Sequence, residues 1–228
     1  MNILISGASS GIGYELAKEF SIRGHSILAL SRNKEKLLTL KSHSGKIQVL
    51  SIDLSKDSGK EELLFHLEKM NSIDIIINNA GQLINKPFLQ TSILEFEQQF
   101  GANFYSAIRL IQWSHPYIVK SKKAHIVNIS SMGGFQSSSK FHGLSAYSSS
   151  KGALSILTEC LATEFKEYNI HVNALALGAV GTKMLENAFP GYEAPVNPTE
   201  MAKYIVDFSI NGVKYFNGKI LPVALGNP

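Results

Sequence analysis

Tyr147 and Lys151 stand four residues apart, with Ser131 sixteen positions upstream of the tyrosine. On a helix, positions i and i+4 share one face. An ammonium beside a phenol favours the phenolate, so this pairing predicts a tyrosine pKa below its ordinary value of about 10. A phenol tuned that way exchanges a proton with a carbonyl or alcohol oxygen near neutral pH. A serine hydroxyl nearby would hold that oxygen in place. Y-x-x-x-K is common on surface helices, so the weight of this spacing depends on what accompanies it.

A second group of residues lies at the start of the chain. Asn2–Ser6 is a short apolar run with the pattern of a buried strand. Gly7-Ala8-Ser9-Ser10-Gly11-Ile12-Gly13 follows, and the segment from Tyr14 has helical apolar spacing. Strand, glycine-rich turn and helix make a phosphate site: the glycines let backbone approach a pyrophosphate, and the free N–H groups of the helix start face the anion. An ordinary tight turn is the plainer alternative. Ser26–Leu30 reads as the next strand. An NAD site usually carries an acidic residue at its end, for the ribose 2′-hydroxyl. Here the end is Ser31-Arg32-Asn33, with no carboxylate to repel a phosphate and an arginine able to pair with one. The pattern points to NADP(H), with NAD(H) as the alternative; Arg32 as a solvated side chain opening the next helix is the structural reading. Asp53-Leu54 closes the strand Ile47–Ile52, where Asp53 either meets an adenine edge or caps the following helix.

The elements that must position these residues alternate. Helical periodicity at Lys60–Met70 precedes the very apolar run Ile73–Ile77, which ends in Asn78-Asn79-Ala80-Gly81. Thr91–Val119 reads as one long, mostly helical stretch with Asn103 inside it, and Ala124–Ser130 as a strand. Met132–Ala146 reads as a polar loop, and Tyr147–Tyr168 as a helix whose small residues Ser148, Ser149, Gly152 and Ala153 would admit another backbone. Ile170–Leu175 is a strand, followed by Gly178 to Thr182; residues 183–198, with their prolines, form a lid or loop. Thr199–Ser209 is a helix with Thr199 as its cap, and Lys219–Leu225 is the last strand. Strand and helix in alternation imply an α/β fold with a mainly parallel, doubly wound sheet and helices on both faces. Ligands of such sheets sit beyond the carboxyl ends of the strands. Every motif named above falls at that edge.

The 228 residues, 44% hydrophobic and 18% charged, suit a single globular domain over 1–228. The net charge of +4 is scattered, its densest cluster being Lys120, Lys122 and Lys123, so no nucleic-acid partner is expected. No apolar run approaches the roughly 20 residues of a membrane span. The N-terminus lacks the basic flank and apolar length of a secretory signal, and a cytoplasmic location is expected. Cys160 is expected to be a small buried side chain. The histidines show no ligand spacing, so no metal site is predicted.

With these residues in place, the chain resembles the short-chain dehydrogenase/reductase family over nearly its whole length. Ser6-Gly7-Ala8-Ser9-Ser10-Gly11-Ile12-Gly13 is similar to the family's T-G-x-x-x-G-I-G, with Ser6 for Thr. Asn78-Asn79-Ala80-Gly81 resembles its N-N-A-G, Ile126–Ser131 the strand that delivers the catalytic serine, and Tyr147 and Lys151 its Y-x-x-x-K. Asn103 matches the helix asparagine of the catalytic tetrad. The resemblance implies a Rossmann-type sheet of about seven strands and hydride transfer between a nicotinamide and a small carbonyl or alcohol. Tyr147 would be the general acid in reduction, and Ser131 would hold the substrate oxygen. Lys151 would bind the nicotinamide ribose, and Asn103 would position a proton-relaying water. Val180 and Thr182 would contact the carboxamide, beside Gly178, and Asp53 would contact the adenine. A homodimer or homotetramer through the helices Thr91–Val119 and Tyr147–Tyr168 is implied, with Trp113 a candidate contact.

The chain departs from the family pattern in three places. Leu177 precedes Gly178 where proline is usual. The interval from Ser131 to Tyr147 is lengthened at Gln136–Gly143, which brings His142 into range of the substrate unless the insertion is a plain surface loop. The lid is short. Besides NADP(H)-dependent carbonyl reduction, the readings are an NAD-linked alcohol dehydrogenase and a nucleotide-sensing protein that kept the fold and lost catalysis.

Overall fold

A computed structural model describes residues 1–225; the last three residues, which the single-domain reading includes, lie outside it. Seven strands form one sheet: β1 Asn2–Ser6, β2 Ser26–Ser31, β3 Ile47–Ser51, β4 Ile75–Asn78, β5 His125–Ser131, β6 His171–Leu177 and β7 Ile220–Val223. Their order is β3-β2-β1-β4-β5-β6-β7, and every pair is parallel. The central strands are apolar at nearly every position because both faces are covered. Ile3, Ile5, Ile27, Ile75, Ile77 and Val127 join the core on one face. Leu4, Leu28, Ile76 and Ile126 alternate with them into the core on the other.

The helices are α1 Gly11–Ile22, α2 Lys34–Leu38, α3 Lys60–Met70, α4 Ile93–Phe100, α5 Ser106–Ile118, α6 Ser145–Glu164, α7 Lys183–Ala188 and α8 Pro198–Asn211. Several expectations change. The stretch read as one helix over Thr91–Val119 is two, joined by a π-turn at Gly101–Tyr105. Such turns insert a residue into the helical ladder and occur often at functional sites; Asn103 sits inside this one. The helix read as starting at Thr199 starts at Pro198 behind Asn197, whose side chain accepts from the Glu200 N–H in a capping box. Proline suits that first position because its missing N–H would be unpaired there anyway. Cys160 is exposed, not buried: α6 turns Leu154, Ser155, Thr158 and Ala162 inward and leaves Cys160 on the side of exposed Ile156. Trp113 is buried in the core beneath α5, so it offers no contact to a second copy. Among the described residues, no helix is long and apolar enough to cross a membrane.

Candidate active site

The turn after β1 is shaped by what it excludes. Gly7 has φ +69°, and a Cβ there would lie 2.8 Å from the Ala80 Cα. A Cβ on Gly13 would collide with the carbonyl oxygen of Gly7 and the side chain of Asn79. The loop can therefore lie flat against the end of β4 only with glycine at these positions. Small polar groups complete the junction. The Ser6 hydroxyl accepts from the N–H groups of Asn79 and Ala80 at 3.1 and 3.0 Å. Asn79 Nδ2 donates back to the carbonyls of Ser6 and Gly7 at 3.0 and 3.2 Å. Ser10 stands at the N-cap of α1 without a side-chain cap bond, which leaves the first-turn N–H groups to an anion. Flat glycine backbone and an uncapped helix start fit a dinucleotide pyrophosphate.

One cavity of about 690 Å³ runs along the carboxyl edge of the sheet. Gly7, Ser9, Ser10, Gly11 and Ile12 line its floor; Asn79, Ala80, Gly81, Gly178, Val180 and Thr182 lie further along. Arg32, Asp53 and Leu54 line its β2–β3 end, and Ser131, Tyr147 and Lys151 the other part. Gly13 and Asn103 do not line it: one packs beneath the loop, the other is buried behind Gly81. At the β2 end, the Ser31 hydroxyl donates to Ser9 Oγ at 2.8 Å, and Arg32 is exposed. Asp53 does not cap α3, whose N-cap is Gly59; it accepts from the Ser55 N–H and hydroxyl at 3.0 and 2.7 Å. Burial pushes its carboxyl up, but the Ser55 bonds and the nearby Arg32 charge more than offset this and hold it below the usual carboxylate range.

Ser130 and Ser131 illustrate how β5 sorts its side chains, since successive residues point to opposite faces. Ser130 Oγ donates to the Lys151 carbonyl at 3.0 Å and anchors α6. Ser131 turns to the cavity, where its oxygen accepts from the Gly133 N–H at 3.1 Å. Lys151 is only 4% exposed. Its ammonium donates to the Ile129 carbonyl at 2.8 Å, and burial lowers its pKa to about 8. The expected lowering of the tyrosine is not what the structure shows. Lys151 Nζ lies 6.0 Å from the centre of the Tyr147 ring. Burial raises the phenol above its ordinary value, and a hydrogen bond from Ser131 only partly opposes this. In this environment Tyr147 is a proton holder.

Asn103 is fixed through all its hydrogen-bonding groups. Its Oδ1 accepts from the Gln82 N–H at 2.7 Å, and its Nδ2 donates to the Gln82 carbonyl at 2.9 Å and to Ser150 Oγ at 2.8 Å. Ser150 in turn donates to the Tyr147 carbonyl at 2.7 Å. The π-turn thus ties the loop after β4 to the first turns of α6.

Other parts of the site are not carried by any motif. A Cβ on Gly134 would lie 2.5 Å from the Gly152 nitrogen, so the turn after Ser131 is the backbone that the small residues of α6 admit; the Gly133-Gly134 pair is the sequence signal for it. Met184 and Leu185 of α7 also line the cavity. The rim beside them joins distant segments: Asn85 Nδ2 donates to the Ala188 carbonyl at 2.8 Å, and the Lys86 N–H to the Gly143 carbonyl at 2.9 Å. The insertion is an ordered surface loop, with Lys140 donating to Phe135 O at 2.6 Å and Ser138 Oγ at 2.7 Å. His142 lines a second groove, together with Phe88 and Ile156, and not the cavity that holds Tyr147.

A doubly wound parallel sheet with a glycine-rich nucleotide loop and a Ser-Tyr-Lys cluster on one cavity defines a nicotinamide-dependent oxidoreductase. The model of the short chain dehydrogenase family matches residues 1–193, and the chain belongs to that family. It is 30% identical over 211 residues to a fatty acyl-CoA reductase of Acinetobacter baylyi, covering 89% of this chain and 70% of that protein. It is 31% identical over 185 residues to carbonyl reductase (NADPH) 2 of Sus scrofa, covering 81% and 73%. Among solved structures, a 4-hydroxyisoleucine dehydrogenase mutant complexed with NADH and succinate superposes with a TM-score of 0.89 at 27% identity, covering 100% of this chain and 98% of that one. The protein is thus an oxidoreductase of the short-chain type whose fold binds NAD(P)(H).

Proposed function

We propose that the protein reduces a ketone or aldehyde to an alcohol with NADPH, using Tyr147 as the general acid. The observation that carries this reading is the meeting of Ser131, Tyr147 and Lys151 on the cavity floored by the glycine loop. When bound there, the nicotinamide supplies the hydride. Tyr147, kept protonated by burial, gives its proton to the carbonyl oxygen as charge develops on it. The Ser131 hydroxyl, its oxygen engaged by the Gly133 N–H, donates a hydrogen bond to the same oxygen. The Lys151 ammonium has three donors; Ile129 takes one, and the others serve a ribose hydroxyl or a proton relay. Its charge favours the phenolate left by proton transfer. Asn103 acts as a positioning residue through Gln82 and Ser150.

NADPH is favoured over NADH because the β2 end presents Ser31 and an exposed Arg32 where a carboxylate would repel a 2′-phosphate. Pairing into a homodimer or homotetramer through the outer faces of α4–α5 and α6 belongs to this reading, supported by the exposed Ile93 and Ile156. So does a cytoplasmic location. The test is NADPH and NADH oxidation over a panel of aldehydes and ketones, beside Tyr147→Phe. NADPH-dependent turnover lost in the variant supports the acid; turnover unchanged removes it. The sign of the pH dependence follows from Lys151. Its ammonium is present below pH 8 and is lost as pH rises through about 8, so the reduction rate should fall there. A rate that rises across pH 7–9 would contradict the role of the lysine.

A further inference from the structure

The charged side chains of the cavity gather at one end. Arg32, Asp53, Lys56 and Arg109 lie where β2 and β3 finish. Glu97 belongs to the same end: Gly101, one turn along the helix, has Ser55 as its nearest neighbour at 3.8 Å. Beyond β6, whose Leu177 pairs in register with Ser131, the cavity is lined by the apolar side chains Leu177, Val180, Met184 and Leu185. Among the described lining residues that follow β6, the one charged group is Lys183. Its ammonium pairs with Glu186 at 3.0 Å on the surface, where the two side chains are 73% and 65% exposed. A carboxylate or phosphate on the substrate would shed its water there with no guanidinium to replace it, which is strongly unfavourable. An alkyl or aryl group would instead cover Met184, itself 38% exposed, and Leu185. The lid helix is held in that position from outside, by the Asn85 bond to Ala188 and by Phe141 against Phe189 at 6.2 Å.

We propose that the substrate is a neutral carbonyl compound bearing an alkyl or aryl chain, and that Met184 and Leu185 are the side chains that select it. This rests on the reductase reading for the position of the reacting carbonyl. The test is calorimetric binding of unreactive amides, as carbonyl mimics, to the NADPH-saturated protein: butanamide, hexanamide, and adipic acid monoamide, which ends in a carboxylate. Hexanamide should bind about tenfold more tightly than butanamide, each added methylene contributing roughly three- to fourfold. The carboxylate-tipped amide should bind at least about tenfold more weakly than hexanamide. Met184→Arg, on an exposed position, should reverse that last preference, and Leu185→Asn should flatten the dependence on chain length. Equal or tighter binding of the carboxylate-tipped amide, affinity independent of chain length, or no amide binding would overturn the proposal. Binding does not require turnover. Amides that bind as expected to a protein that reduces no aldehyde would break the reductase reading alone, and failure of NADPH to bind would break both.

Discussion

The two ends of the cavity are built on different principles. At the glycine loop, neighbouring backbones touch, and the space between them is too small for any side chain: Gly7 lies against Ala80 and Gly13 against Gly7. Bonds between Ser6 and Asn79 run in both directions across the junction. At the rim by the end of α7, chain segments far apart in sequence meet through a few contacts, chiefly Asn85 to Ala188, Lys86 to Gly143 and Phe141 to Phe189. The first end is specified by steric exclusion and tolerates almost no change. The second depends on a few contacts at the surface, each worth little, so it can be retuned for a different substrate without loss of the fold.

Substitutions can break or sharpen this contrast. Tyr147→Phe should lower carbonyl reduction by about 10²–10⁴-fold, the usual worth of a general acid, with NADPH affinity retained in a fluorescence titration. Gly13→Val should cost about 1–3 kcal/mol of stability through overpacking and should weaken NADPH binding in the same titration; a variant as stable as the parent would remove the steric account of the loop. Ser31→Asp should move the NADPH-to-NADH preference by about tenfold toward NADH, the scale of one charge-assisted bond. An unchanged ratio would leave Arg32 a surface side chain. Asn85→Ala should do least. Loss of an exposed neutral hydrogen bond of about 0.5–1.5 kcal/mol should raise KM for a long aldehyde about two- to tenfold, with little change in melting temperature. A change in kcat instead would place Asn85 nearer the chemistry than the rim.

The same contrast governs what could be read in the sequence. Strands buried on both faces are apolar without interruption, and the glycine loop has one workable composition, so both were legible. Ser131, Tyr147 and Lys151 came together on the cavity because a strand end and the first turn of a helix fix their directions. The direction of the Tyr147 pKa shift was not legible: pairing with lysine predicts a lowered pKa, whereas burial, which depends on the whole fold, raises it. The π-turn was also hidden, since Gly101 and Asn103 weaken a helix without indicating how the ladder rearranges. Periodicity missed the exposure of Cys160 because the helical repeat does not say which side of α6 meets the sheet.

The strand order has a consequence for how the protein is made. Beginning with β1, each later strand joins at an edge that is still free: β2 and β3 extend the sheet one way, and β4 to β7 extend it the other. No strand has to enter between two that are already paired. A chain emerging from the ribosome can therefore assemble the sheet in the order of synthesis. The glycine loop meets Asn79 as soon as β4 docks, well before the lid has been translated, so the nucleotide end is built first and the substrate end is added to it.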